Sequence, residues 1–352
     1  MSSRILDVAV IGATGVVGQR FVRRLANHPQ FRLVAIAASE KSRGKSYAEA
    51  CAWRLDGEPY AGFGALPLLA ADPDEVTAPV IFSALDTGPA QEIEPRFAAV
   101  GSTVFSNASA FRMAEDVPLL VPEVNPDHLE LVATQRQRRG WRGAILTNPN
   151  CTTTVLVMAL KPLDDAFGIE AVHMASMQAV SGAGYPGVAS LDILGNVIPY
   201  IRNEEEKVEE ETQKLLGRCA GGRVGPLPAV VSAACHRVPV LEGHTLAVSV
   251  KLRGQPDVRA VAEALRSWRP LPQQLGLHSA PSVALVVHAE ADRPQPRRDV
   301  ETHGGMAVHV GRIRHCPLLG IKFTVLGHNT ERGAAGGSML NAELALARGV
   351  LA

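Results

Sequence analysis

Seven residues, Gly12-Ala-Thr-Gly15-Val-Val-Gly18, constrain this chain more than any other stretch. The apolar run Leu6 to Ile11 precedes them and reads as a short buried strand. A helical pattern follows from about Val16 to Ala26, with Val16, Val17, Phe21, Val22 and Leu25 on one face. Phe31 to Ala38 is a second apolar run, so these segments form a βαβ unit and the chain opens with a parallel sheet. Glycines in such a turn let the backbone approach a pyrophosphate, and the helix N-terminus adds N–H groups and partial positive charge. Gly12, Thr14, Gly15, Val16, Val17 and Gly18 are therefore candidate dinucleotide contacts. A tight turn without ligand is the competing reading, and the strand before and helix after favour the ligand.

The end of the second strand bears on which dinucleotide. An acid there holds ribose hydroxyls, whereas hydroxyls and basic groups suit a ribose phosphate. The chain reads Ser39-Glu40-Lys41-Ser42-Arg43-Gly44-Lys45. Glu40 keeps NAD open, while Ser39, Ser42, Arg43 and Lys45 lean toward NADP(H).

At 352 residues the chain suits two domains better than one core. Lys plus Arg equals Asp plus Glu at 35 each, which gives no electrostatic reason to expect nucleic acid or an anionic membrane as partner. The cysteines Cys51, Cys151, Cys219, Cys235 and Cys316 are odd in number and form no C-x-x-C pair, so neither a disulfide framework nor a metal site is expected. No apolar run reaches the ~18 residues of a membrane span, and Met1-Ser-Ser-Arg4 opens no signal sequence. A cytoplasmic location is expected.

Further strands are expected at Val80–Ala84, Thr103–Ser106, Leu119–Val121 and Ala144–Leu146, then a helix from Thr152 to about Leu160, short of Pro162. Beyond it the texture changes. Val172–Val180, Ala229–Pro239, Thr245–Leu252, Ser282–Ala289 and Met306–His315 are strand-like, Asn203–Leu216 is a charged helix, and Gly217–Pro228 is a loop. The expected fold is α/β: a Rossmann-type domain over residues 1–150, and a second α+β domain over 151–328 with a mixed, largely antiparallel sheet. A tail, 329–352, carries a final helix.

Cys151 follows the polar turn Thr147-Asn-Pro-Asn150 and opens a helix. A helix N-terminus stabilises a thiolate and offers N–H groups to an oxyanion, so a lowered thiol pKa and a nucleophilic role are expected. A lone cysteine is more often a small buried hydrophobe, and the other four receive that reading.

Six stretches in order along the chain then resemble the aspartate-semialdehyde dehydrogenases, in the branch typical of archaea and fungi: Gly12–Gln19, Asn148–Thr153, Gln178–Val188, Glu204–Thr212, Cys235–Thr245 and Gly327–Ser338. The resemblance implies that Cys151 is the nucleophile and His244 the acid/base, with Gln178 positioning the substrate. It implies that Arg237 clamps the substrate carboxylate, Glu204 meets the amine, and Lys207 and Arg112 hold phosphate, with Asn107 beside Arg112. Ser181, Gly182 and Gly184 would border the nicotinamide, and Asn329 and Thr330 would return to the cofactor with the last helix. The remaining glutamates, Glu205, Glu206, Glu209, Glu210 and Glu211, read as a solvated face.

The implied reaction is reduction of aspartyl phosphate by NADPH to aspartate semialdehyde and phosphate, through a thioester and thiohemiacetal on Cys151, in aspartate-family amino-acid biosynthesis. A homodimer or homotetramer joined through the second domain is also implied. Two alternatives stay open. A malonyl-CoA-type acyl-CoA reductase shares the nucleotide fingerprint, cysteine and histidine, and a non-catalytic NADP-binding homologue would need neither. N-acetyl-glutamyl-phosphate reductase shares the chemistry, but a different cysteine context is expected there.

Overall fold

A computed structural model describes residues 5–351 of the chain. Met1 to Arg4, where no signal sequence was expected, and Ala352, the last residue of the tail, lie outside them. The first sheet has six parallel strands: β1 (Leu6–Ile11), β2 (Phe31–Ala38), β3 (Leu68–Ala70), β4 (Val80–Ser83), β5 (Thr103–Ser106) and β6 (Ala144–Thr147). Their order is β3-β2-β1-β4-β5-β6, with the strand order reversing beside β1. Alternate β1 residues enter two cores: Val8 and Val10 on one face, Ala9 and Ile11 on the other. A sheet buried on both faces needs apolar residues at every position, which is why its strands read as unbroken runs.

The second domain holds β7 (Ile169–Gln178), a small hairpin of β8 (Arg218–Ala220) and β9 (Arg223–Gly225), then β10 (Val230–Arg237), β11 (His244–Leu252), β12 (Leu285–Val287), β13 (Val308–Cys316) and β14 (Gly320–Gly327). Its main sheet runs β10-β7-β11-β14-β13-β12. The outermost pair at each edge is parallel and the three inner pairings are antiparallel, which is the mixed sheet expected. The edge strand β10 is shielded by the acidic helix Glu204–Leu215, where Glu209 and Glu205 accept from the backbone N–H groups of Ala233 and Cys235. The final helix, Gly336–Ala347, sends Met339, Leu340 and Leu344 into the core that holds Val8.

Several sequence expectations change. Leu119–Val121 makes only an isolated bridge from Leu119 to Thr147, because Pro118 and Pro122 lack the donors to extend a ladder. The helix opened by Cys151 continues through Pro162 to Phe167. One proline in a helix costs ~3 kcal/mol, yet Val155, Leu156, Met158, Leu160 and Leu163 are buried at roughly 1.5–3 kcal/mol each, so packing wins. The glycine- and proline-rich stretch from Gly217 holds the β8–β9 hairpin. The strands β3 and β14 and the helix Thr87–Val100 were not expected. The last contains Gly88, Pro89 and Pro95, which mask its period.

Candidate active site

A cavity of about 930 Å³ runs from the nucleotide turn to Cys151. Its near wall is Gly12, Thr14, Gly15, Val16, Val17, Ser39 and Glu40, and its far end is Asn107, Arg112, Asn150, Cys151, Ser181, Gly182, Gly184, Asn329 and Thr330. The turn fits a dinucleotide for a steric reason. A Cβ at Gly18 would stand 2.2 Å from Gly12 O, so Gly18 closes the helix onto the strand. A Cβ at Gly15 would meet only Gly12 O, at 3.6 Å, so the backbone there is left open toward the cavity. Gln19 fixes the turn from behind, donating to Thr14 O at 3.0 Å. Ser39 reaches the cavity wall as expected. Ser42, Arg43 and Lys45 are not on it, and Arg43 instead pairs with Glu75.

At the far end Asn150 caps the helix that Cys151 opens, its Oδ1 accepting from Thr152 N at 2.8 Å and Thr153 N at 3.1 Å. Such a cap contributes ~1 kcal/mol and sets the exit angle of the chain. Cys151 Sγ then lies 3.2 Å from His244 Nε2. The register that delivers His244 is β11 between β7 and β14, where His244 pairs with Gly327. His244 is fully buried, and burial, with help from Arg237 and His328, pushes its imidazolium pKa down to about 3.

The expected lowering of the Cys151 thiol is not what the resting site gives. Burial, reinforced by the Glu204 charge, pushes the thiol up to about 12, against the pull of Arg112, Arg237 and the Thr152 N–H. The helix N-terminus is present, but desolvation outweighs it.

Most of the other expected residues fall around this pair; Lys207 is not on the cavity wall. Arg237 is buried and donates to Ala179 O at 2.8 Å, and a Cβ on Gly182 would sit 2.8 Å from Arg237 Nη1 and 3.0 Å from His244 Cε1. Gln178 is buried at the end of β7 and donates to Ser176 Oγ at 3.2 Å. Asn107 donates to Ser83 O, and its Oδ1 is buried without a partner among the described residues. Asn329 donates to Ser181 Oγ at 2.8 Å and accepts from Gly243 N at 2.8 Å. Thr330 donates to Glu242. Both carboxylate oxygens of Glu204 lie 3.0 Å from Asn150 Nδ2, and Thr152 Oγ1 donates to it at 3.2 Å. Lys207 is half-buried on the same helix, with no ion-pair partner among the described residues.

The acidic helix corrects the solvated-face expectation. Glu211 is buried, takes Arg112 Nη1 at 3.0 Å and accepts from Asn150 N at 2.6 Å. Glu205 and Glu209 are spent on β10. Lys214, also buried, donates to the carbonyls of Arg112, Ala114 and Val117. Glu211 stands seven residues, two helical turns, after Glu204, so helical periodicity places both on one face. That was the signal available in the sequence. Glu242 had none: it joins Arg20, Ser181 and Thr330 from three distant parts of the chain.

Comparison with known proteins agrees with this geometry. Residues 7–132 match the family described as semialdehyde dehydrogenase, NAD binding domain, and residues 160–332 match semialdehyde dehydrogenase, dimerisation domain. The aspartate-semialdehyde dehydrogenase of Archaeoglobus fulgidus is 52% identical over 338 residues, covering 96% of this chain and 97% of that protein. This chain belongs to the aspartate-semialdehyde dehydrogenase family. The Schizosaccharomyces pombe member is 45% identical, covering 99% of each chain. The crystal structure of the Candida albicans enzyme with NADP superposes with a TM-score of 0.90 at 40% identity, covering 98% of this chain and 99% of that one. The first domain is thus the family's dinucleotide-binding domain and the second its dimerisation domain.

Proposed function

We propose that the chain reduces aspartyl phosphate with NADPH to aspartate semialdehyde and phosphate, the step that feeds lysine, threonine and methionine synthesis. The observation that carries this reading is the Cys151 Sγ to His244 Nε2 contact of 3.2 Å at the end of the nucleotide cavity. When bound, the dinucleotide supplies or accepts the hydride. Cys151 thiolate attacks the acyl carbon, and His244, beside it, is the acid/base that serves the oxyanion developing there. Arg112 and Lys207 take the phosphate, Arg237 takes the α-carboxylate by its planar fork, and Glu204 takes the ammonium. Gln178, at the end of β7, positions the acyl group, and Asn107 supports the phosphate end through its backbone carbonyl, which accepts from Arg112 Nη2 at 2.8 Å. Ser181, Gly182 and Gly184, with Asn329 and Thr330, flank the nicotinamide. Ser39 is the group beside Glu40 that favours NADP.

We divide the chain at Asn150/Cys151 and His328/Asn329. The partner is a second copy of the chain, seated against the second domain as a homodimer, with a homotetramer as the larger assembly. Leu191 and Leu194 are 92% and 68% exposed, side by side with exposed Val197 and Tyr200, on the segment that bridges β10 through Ile198 and Arg237. No helix among the described residues is long and apolar enough to cross a membrane. The five cysteines stand as free thiols, in keeping with a cytoplasmic enzyme.

One assay tests the substrate. NADP reduction is measured with aspartate semialdehyde plus phosphate, and separately with malonate semialdehyde plus coenzyme A. Activity in the first mixture alone is expected, and activity confined to the second replaces the reading with the acyl-CoA one. Cys151→Ala should lose turnover entirely while still binding NADPH. Wild-type turnover in that variant would show that the covalent route is wrong.

A further inference from the structure

Side chains from distant parts of the chain form a directional run of hydrogen bonds beside the cavity. It starts at a backbone amide. Gly243 N donates to Asn329 Oδ1 at 2.8 Å, which turns the amide oxygen of Asn329 toward Gly243 and its nitrogen away. Asn329 Nδ2 then donates to Ser181 Oγ at 2.8 Å. Ser181 in turn donates its hydroxyl proton to Glu242 Oε2 at 2.8 Å. Thr330 Oγ1 donates to the same oxygen at 3.2 Å and also lies 3.4 Å from His328 Nδ1. Arg20, from the first helix, closes the run by donating from Nη2 to Glu242 Oε1 at 2.8 Å. The direction is fixed at both ends, because an amide N–H and a guanidinium only donate and a carboxylate only accepts.

Ser181 is where this run meets the cavity. A serine hydroxyl has one proton and two lone pairs. The proton is committed to Glu242 and one lone pair to Asn329. Ser181 Oγ therefore has a single lone pair left for a ligand, so it can accept and cannot donate. Ser181, Gly182 and Asn329 line the end of the cavity that holds Cys151, and the nucleotide turn lines the other. On the thioester reading given above, hydride passes to a carbon carried by Cys151, so the nicotinamide lies at the Ser181 end. Its carboxamide carries an N–H donor group and a C=O acceptor, and only the donor matches Ser181 Oγ.

We propose that Glu242 is a positioning residue for hydride transfer. By taking the Ser181 proton it makes Ser181 Oγ an acceptor only, which selects the N–H side of the nicotinamide carboxamide and fixes how the ring lies before Cys151. The proposal rests on the thioester reading. Glu242 is not on the cavity wall and acts through Ser181. Arg20 makes the role testable by one substitution. In Glu242→Gln the guanidinium still requires an acceptor, so the amide oxygen faces Arg20 and the amide nitrogen faces Ser181 and Thr330. The two hydrogens of that nitrogen match the two hydroxyl oxygens. Ser181 Oγ then accepts from Asn329 and from the new amide, its own proton turns to the cavity, and the polarity shown to a ligand is reversed.

The test compares NADP with 3-acetylpyridine adenine dinucleotide phosphate, in which a methyl ketone replaces the carboxamide. The C=O stays and the N–H donor is gone. Dissociation constants for both cofactors are measured by calorimetry on the full-length protein, as wild type, Glu242→Gln and Ser181→Ala, with melting curves to confirm folding. The wild type should favour NADP by ~10-fold or more, because the analogue leaves the Ser181 lone pair without a donor. Glu242→Gln should bring that ratio to about one or invert it, and Ser181→Ala should bring it to about one. Single-turnover reduction of the two cofactors with aspartate semialdehyde and phosphate gives a second readout. It is compared as a ratio between variants, so that the different reduction potentials cancel, and it should move in the same direction. A Glu242 that only stabilised the fold would weaken both cofactors alike. A wild-type binding ratio near one, or a folded Glu242→Gln that keeps the wild-type ratio, overturns the proposal. If Glu242→Gln does not fold, Ser181→Ala decides: an unchanged ratio overturns the proposal and a ratio near one supports it. If aspartate semialdehyde is not turned over, the functional reading fails by itself, and the binding ratios still decide the polarity of Ser181.

Discussion

Cys151 and His244 face each other in a site whose resting electrostatics oppose charge. The thiol is held near pKa 12 by burial and by Glu204, while burial, Arg237 and His328 keep the imidazole neutral. A thiolate and an imidazolium are therefore not the stable pair before substrate enters. Alkylation of Cys151 by iodoacetamide, followed by mass spectrometry of its peptide, should quicken about tenfold per pH unit from pH ~7 to ~9.5 without levelling. A plateau near neutrality would mean that the thiolate already exists in the resting enzyme. The arginines matter here because each works against desolvation. An anion bound at Arg112 would change that balance, so any such ligand would take part in setting the charge on Cys151.

At the scale of elements, the site is held by two short structures that do different work. The first is the nucleotide turn. Gly18 is a packing residue and Gly15 leaves room for ligand, so their alanine variants should separate. Gly18→Ala should lower the melting temperature by several degrees, because Gly12 O stands where the new carbon must go. Gly15→Ala should melt like wild type yet bind NADPH at least ~10-fold more weakly in calorimetry. Equal losses of stability in both variants would remove the distinction. The second element is the acidic helix. With Glu204 and Glu211 it grips both the side chain and the backbone of Asn150, and with Lys214 it fastens the loop that carries Arg112. Arg112 and the turn before Cys151 are thus held by one helix.

Across the whole molecule, the C-terminal segment ties the two domains together: Asn329 and Thr330 hold Ser181, Gly243 and Glu242 of the second, and the next two residues hold the first. Glu331 receives Arg20, Arg23 and Arg24 from the first helix, and Glu123 pairs with fully buried Arg332. Burial alone would raise the Glu331 carboxyl, but Arg24 and Arg20 outweigh it and hold its pKa at about 2. Since the folded value lies below the unfolded one, Glu331 adds stability that is fully present above the unfolded pKa, ~4.3. That stability is lost as pH falls from there toward ~2. Glu331→Gln should cost about 3 kcal/mol in urea unfolding at pH 7, and the difference from wild type should shrink to little at pH ~2. The assembly has its own test. The double variant Leu191→Asp, Leu194→Asp should elute as a monomer in size-exclusion chromatography with light scattering, whereas an unchanged mass would move the interface elsewhere.

The sequence by itself determined the elements whose period and punctuation are local. The βαβ opening, the Asn150-capped helix and the mixed second sheet follow from patterns a few residues long, and the order of six motifs along the chain was enough to name the family. It did not determine which side chains are spent before a ligand arrives. Glu211 read as solvated and Arg43 as a cofactor contact, yet one is buried against Arg112 and the other turned to Glu75. Pro162 read as a helix stop because the core that overrides it comes from distant strands. The direction of the Cys151 shift was likewise settled by tertiary structure. Desolvation depends on everything packed around a group, and His244 lies 93 residues from the Cys151 it faces. Local sequence carries propensity and spacing. Burial and long-range hydrogen bonds, which set protonation, exist only once the chain has folded.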